Sequence, residues 1–380
     1  MSTATAPAYT VESIAGTRPR PAAFSFQALG PQEAEALEKG DIYSAALAFI
    51  EDRIDVEGDL FAALRALVMR PRSSLRNRLL TLIARLDSLR WERWSQGRAR
   101  ARSNIEFHYD HPAAFYRQFL DARMVYSCAY FEDPQWTLEE AQLAKLDLIC
   151  RKLGLCSGER FLDIGCGWGA LVFHAVANYG VRATGCTLSR RQSDAPIGWQ
   201  DPNAAILYRD YRDFTGRFDK IASVGMFEHV GIRRLPEYFR KMAELLADDG
   251  LFLNHGIARP RTVKPGPDWI FLQKRVFPGG DLPPLDEVVR QAEIAGFEVL
   301  DVENLRPHYA LTCRTWVERL RANEEACRTL VGGKVYRTWL LYLAASAVCF
   351  ADGYTDVHQV LMAKRAHPAP RRLSRREIYS

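Results

Sequence analysis

The chain has 380 residues, 48% hydrophobic and 26% charged, which suffices for one large domain with a smaller one attached. No apolar run approaches the roughly 20 residues that span a bilayer, and no basic segment followed by an apolar core opens the chain as a secretory signal would. The eight cysteines lack the paired CxxC spacing of a zinc site, so reduced thiols in a cytosolic protein are expected, and no metal.

The net charge of +5 is unevenly spread: ten arginines between Arg70 and Arg102 face only Asp87 and Glu92, and RRLSRR at 371–376 closes the chain. An anionic membrane surface or a nucleic acid is one reading of such a stretch, and a solvated helix face is the other. Residues 1–25 are rich in Ala, Pro and Thr and read as a mobile tail. From 26 to 103 an accessory domain is expected, helical or α+β. Its PQEAEALEKG and DLFAALRALVM segments read as helices around a strand-like IYSAALAFIEDRI. Trp91 and Trp94 within the arginines suit a membrane interface or an ordinary domain contact.

A catalytic-sized domain follows from 104 to 365, with a basic tail over 366–380. Thr137, followed by Glu140 and apolar spacing, predicts an N-capped helix to about Leu153. Strands are expected at RFLDI, VRATGCTLS, AAILYR, FDKIASVGMF and GLFLNHGIA, with helices between most of them. One such helix is LPEYFRKMAELLADDG, ending at a glycine. This alternation predicts an α/β, doubly wound, mostly parallel sheet. Pro196, Gly198 and Pro202 leave room only for a shortened helix or a loop between Gln192 and Asn203. The stretch from 259 to 285 is too rich in Pro and Gly to be regular and reads as a lid or pocket wall. Helices around Trp316–Leu330 and Tyr336–Phe350 and a strand near Val357–Ala363 complete the domain.

The turn after RFLDI alternates Gly165, Gly167 and Gly169 with Cys166 and Trp168 before a helical pattern. Strand, glycine turn and helix form a nucleotide-binding opening, although a plain tight turn looks the same. The spacing lacks the later glycine of a pyrophosphate turn. Asp163, two residues upstream, offers a carboxylate to an ammonium group. Both features favour S-adenosylmethionine over a dinucleotide.

The segments HYD (His108–Asp110), FYRQFLD (Phe115–Asp121), YSCAYF (Tyr126–Phe131), LDIGCGWG, TLSRRQ (Thr187–Gln192), DYRDF, SVGMFEHVG (Ser223–Gly231) and VFPGGDLP together resemble the cyclopropane-fatty-acyl-phospholipid synthase family, in order across about 104–365. The basic amino-terminal portion is similar to the extra domain of its phospholipid-acting members. The resemblance implies a class I methyltransferase (Rossmann-like) fold, S-adenosylmethionine as donor, an unsaturated acyl chain as acceptor and a bound bicarbonate ion. It carries Tyr126, Ser127, Gly165, Gly167, Thr187, Gln192, Tyr211 and Arg212 over to the donor site, beside Asp163 and Gly169 of the turn. Tyr109 matches a tyrosine near both ligands. Cys128, Glu228, His255 and Tyr309 match the positions that hold bicarbonate.

These residue types fit the chemistry. An alkene attacking a sulfonium methyl leaves a carbocation that must lose a proton to close a ring, and a small held anion can take that proton. Singly, each residue has a duller reading: Cys128 as a buried inert thiol, His255 as a structural histidine, Glu228 as a helix cap, Tyr309 as core. Their joint match outweighs these readings.

Three departures stand out: Ser346 where the family often has cysteine after Tyr342–Leu343, Gly256 where threonine is usual, and a shortened interval from Gln192 to Tyr211. They bear on acceptor and product more than on the donor. The expected partners are an unsaturated acyl lipid and an anionic membrane on its cytoplasmic face. A homodimer is compatible, and no nucleic acid is expected. Methyl-branching lipid enzymes, small-molecule N-methyltransferases and a non-enzymatic lipid- or nucleic-acid-binding scaffold remain as alternatives.

Overall fold

The computed structural model describes residues 9–11, 24–69, 79, 81–83, 111–196, 201–264, 266–278, 280–365 and 374–379. Tyr109, Trp91, Trp94, nearly all of the arginine-rich stretch and much of the basic tail lie outside them.

The amino-terminal part is α+β. Strands β1 (Tyr9–Val11), β2 (Phe24–Ala28) and β3 (Ile54–Gly58) pair antiparallel in that order. Helices α1 (Pro31–Glu38), α2 (Ile42–Ile50) and α3 (Leu60–Met69) accompany them. The expectation of a strand over IYSAALAFI is corrected here: it is α2. Its apolar run carries no period, and its start is fixed by Asp41, whose side chain accepts from Ser44 N at 3.1 Å.

The large domain opens with α4 (Ala113–Tyr116) and α5 (Leu138–Leu153). In α5 the expected capping box is present, with Thr137 and Glu140 bonded reciprocally, and Gly154 ends the helix in the left-handed conformation. There follow β4 (Arg160–Ile164), α6 (Ala170–Tyr179), β5 (Arg182–Thr187), the short α7 (Arg190–Asp194), β6 (Ala204–Tyr208), β7 (Phe218–Val224), α8 (Leu235–Leu245) and β8 (Leu246–Ala258). Next come α9 (Pro267–Arg275), α10 (Leu285–Ile294), β9 (Phe297–Asn304), α11 (Arg306–Ala322), α12 (Glu324–Val331), α13 (Gly333–Ala351), β10 (Asp356–Lys364) and α14 (Arg376–Tyr379).

The seven strands lie in the order β6-β5-β4-β7-β8-β10-β9, and β10 runs antiparallel to both its neighbours. One face packs Leu162, Ile164, Ile221 and Phe252 under α8 and α10, and the other packs Phe161, Ala183, Ala222 and Leu253 under α5 and α6. Three expectations are corrected. The segment 259–285 contains α9. The helix before β8 stops at Leu245, so Gly250 lies within the strand. Strand β9 went unforeseen.

The two parts are tied through α13. Buried Arg337 donates to the carbonyls of Phe49 and Ile54, the latter at 2.6 Å, and pairs with Asp52 at 3.0 Å. Arg65 grips Asp352 through two bonds of 2.7 and 2.8 Å.

Candidate active site

A crevice opens where the strand order reverses, beside the carboxyl ends of β4 and β7, as open α/β sheets favour. Of the residues expected at the donor site, Tyr126, Ser127, Asp163, Gly165, Gly167, Thr187, Gln192, Tyr211 and Arg212 all line it. Gly169 does not. Its positive φ of 91° starts α6, and a Cβ there would meet the Phe173 ring at 2.7 Å, so it serves packing. At Gly165, φ is 78° and a Cβ would lie 2.7 Å from the Met226 side chain, whereas Gly167 faces open space. The turn is pinned by Gly165 N and Cys166 N, both donating to Cys186 O, at 2.9 and 3.0 Å.

The remaining wall is polar and pre-paired. Thr187 Oγ1 donates to Gln192 Oε1 at 2.6 Å, and Arg212 spends its guanidinium on Asp210 at 2.6 and 2.9 Å. Arg212 therefore shapes the wall rather than offering a free charge. Asp163 is buried with no partner for Oδ1, and burial raises its carboxyl to about 7 against the opposing pull of Lys145. The sequence reading missed Lys145, Trp168, Met226, His229 and Arg234, which also line the crevice.

The four residues matched to an anion site, Cys128, Glu228, His255 and Tyr309, do not line that crevice. Glu228, in a 3-10 turn after β7, accepts from Ile257 N through Oε1 at 2.7 Å, while Oε2 is buried without a partner. Burial raises its carboxyl to about 7. His255 lies two residues before Ile257 on β8, and its carbonyl accepts from Gly225 N at 2.8 Å. Gln359 Nε2 contacts its Nδ1 at 3.2 Å; with that amide donating, the neutral ring keeps its proton on Nε2, which is buried without a partner. Burial, aided by Lys145, Lys152 and His358, holds the imidazole well below its usual range.

Cys128 contacts the Leu305 carbonyl at 3.7 Å, and Tyr309 N donates to that same carbonyl from the first turn of α11. Burial pushes the Cys128 thiol far up, so it is not a thiolate nucleophile. Tyr309 is held protonated by burial, with Cys128 and Glu228 among the groups that reinforce this, and its ring stacks on Phe350 at 4.4 Å. Tyr342 is hydrogen-bonded to Ser346 and to Tyr126, which lines the crevice.

Gly256 has a local reason: a Cβ there would lie 1.9 Å from the Phe227 ring. Among the described residues no cluster of side chains could hold a metal.

Fold and crevice together define a class I S-adenosylmethionine-dependent methyltransferase. The family model described as mycolic acid cyclopropane synthetase matches residues 96–360, and the chain belongs to that family. It is 39% identical over 347 residues to a probable fatty acid methyltransferase of Pseudomonas putida, covering 88% of this chain and 85% of that one. The cyclopropane mycolic acid synthase MmaA2 of Mycobacterium tuberculosis is 36% identical over 282 residues, covering 69% and 96%. The structure of MmaA2 superposes with a TM-score of 0.67 over 69% of this chain and 98% of that one. Mycolic acid cyclopropane synthase CmaA1, solved with SAH and CTAB, superposes at 0.65 with 36% identity over 71% and 99%.

Proposed function

We propose that this methyltransferase acts on the cis double bond of an unsaturated acyl lipid and closes a cyclopropane ring there, with a bicarbonate ion as base. The observation that carries the reading is the pair of buried, unpartnered polar atoms, Glu228 Oε2 and His255 Nε2. Glu228 is bonded through Oε1 to Ile257 N, and His255 lies two residues before Ile257 on β8. Buried polar atoms without partners are costly, and such a pair fits a small anion carrying both an acceptor oxygen and an O–H. The donor, when bound, supplies an electrophilic methyl, and the anion supplies a base that the resulting cation does not alkylate irreversibly.

The chain's own groups then have defined tasks. Ionised Glu228 accepts the anion's O–H through Oε2, and His255 Nε2–H and the Tyr309 hydroxyl donate to its oxygens. Cys128 supports this by fixing the backbone beside Leu305. The rings of Tyr126 and Tyr309, each against Trp316, exclude water and present π faces to positive charge. By the resemblance Tyr109 belongs near both donor and anion, and the charge and tryptophans of the arginine-rich segment fit anionic lipid on the cytoplasmic face of the membrane. Among the described residues no helix is long and apolar enough to cross a bilayer.

A methyl-branched product is the second reading. It is favoured by the likeness to the Pseudomonas putida protein, which extends into the amino-terminal part. The test is incubation with labelled S-adenosylmethionine and unsaturated phospholipid vesicles, with and without bicarbonate, followed by mass spectrometry of the acyl chains. A gain of one carbon with loss of the alkene, dependent on bicarbonate, is expected. Retention of a double bond in the labelled chain selects branching, and unlabelled chains refute lipid as the acceptor.

A further inference from the structure

We propose that Lys145 is a positioning residue of the donor site, a buried cation on α5 that holds the 124–128 loop through Ser127 and shares the crevice with Asp163 at the end of β4. The inference rests on the donor assignment alone, not on the acceptor or the bicarbonate.

Lys145 is 2% exposed and lines the crevice. Its Nζ donates to Ser127 Oγ at 3.1 Å, and Gln142, one turn earlier on α5, donates to Ser127 O at 2.9 Å. The opposite end of the loop is held by Asp121, also buried, which accepts from Arg123 N and Val125 N at 3.1 and 2.8 Å. Between these clamps Met124 sits at φ 56°, a left-handed conformation that a side-chain-bearing residue keeps only when its surroundings impose it. Two polar side chains of one helix and one buried carboxylate thus impose the backbone that presents Tyr126, Ser127 and Cys128.

The charge of Lys145 has a second use. The charged and titratable groups around it are Asp121 from the loop, Asp163 from β4, and the thiols of Cys128 and Cys150. His255 on β8 and His174 on α6 also feel its charge. Around Asp163 stand Lys145 from α5 and the thiols of Cys150, Cys166 and Cys186, which burial pushes up with the charge of Asp163 adding to it. Among these neighbours Lys145 is the cation that favours ionised Asp163, whose Oδ1 has no partner. Removing the cation leaves a buried carboxyl to take up a proton, and a neutral carboxyl holds an ammonium group weakly.

The test is calorimetric titration of the full chain with S-adenosylmethionine over a pH range of about 5.5 to 8.5. In the unaltered protein, affinity is expected to fall as the pH drops through about 7. Lys145→Met should raise that midpoint by about one unit and weaken binding about tenfold at neutral pH, and Lys145→Arg should bring the midpoint back. Uniform weakening with an unmoved midpoint would show a merely structural lysine and overturn the proposal. Should Lys145→Met fail to fold, Asp163→Asn in the otherwise unaltered chain decides: because burial lowers Lys145 itself to about 8, the alkaline limb is left aside, but the fall in affinity below neutral pH must vanish, and its persistence refutes the assignment.

Discussion

Replacing Glu228 by glutamine tests the buried carboxyl without reference to any substrate. In the folded chain burial displaces this group from the ordinary 4.5 to about 7. Its folded-state pKa therefore lies above the unfolded one, so the unfolded chain gives up its proton first as the pH rises. Stability must accordingly fall with rising pH between about 4.5 and 7 and level off above. The displacement corresponds to about 3 kcal/mol between pH 4.5 and pH 8. In Glu228→Gln the amide oxygen can still accept from Ile257 N, which Glu228 Oε1 does at 2.7 Å, but the titration is gone. Urea unfolding of both proteins at the two pH values, without ligands, should therefore give a stability difference that shifts by about 3 kcal/mol in favour of the variant. A difference independent of pH would mean that the carboxyl is solvated, and the proposed anion site would lose its main support. The same variant should lose about 100-fold or more in lipid turnover, as removal of a group acting on a proton-transfer step does.

Gly256→Ala places a methyl group 1.9 Å from the Phe227 ring; thermal melts should show a loss of about 1–3 kcal/mol, partly recovered by adding Phe227→Leu. Arg337→Met removes the buried cation that reaches the Phe49 and Ile54 carbonyls. A loss of about 3 kcal/mol is expected, with faster proteolysis between the amino-terminal part and α13. Gly165→Ala combines a φ of 78° with a Cβ 2.7 Å from Met226; donor affinity measured by calorimetry should fall more than tenfold while the melt shifts by only about 1–3 kcal/mol.

Much of the sheet is legible in the sequence because β4, β5, β7 and the apolar second half of β8 are short runs bounded by turns, and the capping box of α5 reads directly from Thr137 and Glu140. Strand β9 is not. Its sequence FEVLDVEN interleaves Glu298, Asp301 and Glu303 with apolar residues, which reads as a solvated surface. In the fold Asp301 and Glu303 turn instead to the buried Lys152, the former at 3.8 Å. Donor residues were within reach because they sit on a local motif. Lys145 and Gln142 look like ordinary helix-surface residues, although their spacing with Ile149 and Lys152 follows the buried stripe of α5.

The polar residues of this site share one property that links stability to function. Asp163 Oδ1, Glu228 Oε2 and His255 Nε2 are buried and unpartnered. Burial without a partner is costly for a polar atom, so each weakens the folded state at neutral pH. A cation at Asp163 and an anion at Glu228 and His255 would supply the missing partners and stabilise the native chain by mass action. The two carboxyls, both raised to about 7, should then respond in the same direction, since each ligand is held by the ionised form. Donor binding should lower the pKa of Asp163 and release a proton. An anion that leans on ionised Glu228 through its O–H should bind more weakly as that group protonates below neutral pH. Titrating the donor and the anion one at a time, in buffers of differing ionisation enthalpy, separates the two, and donor binding without proton release at pH 6.5 to 7 would show that Asp163 is not the donor's counter-ion.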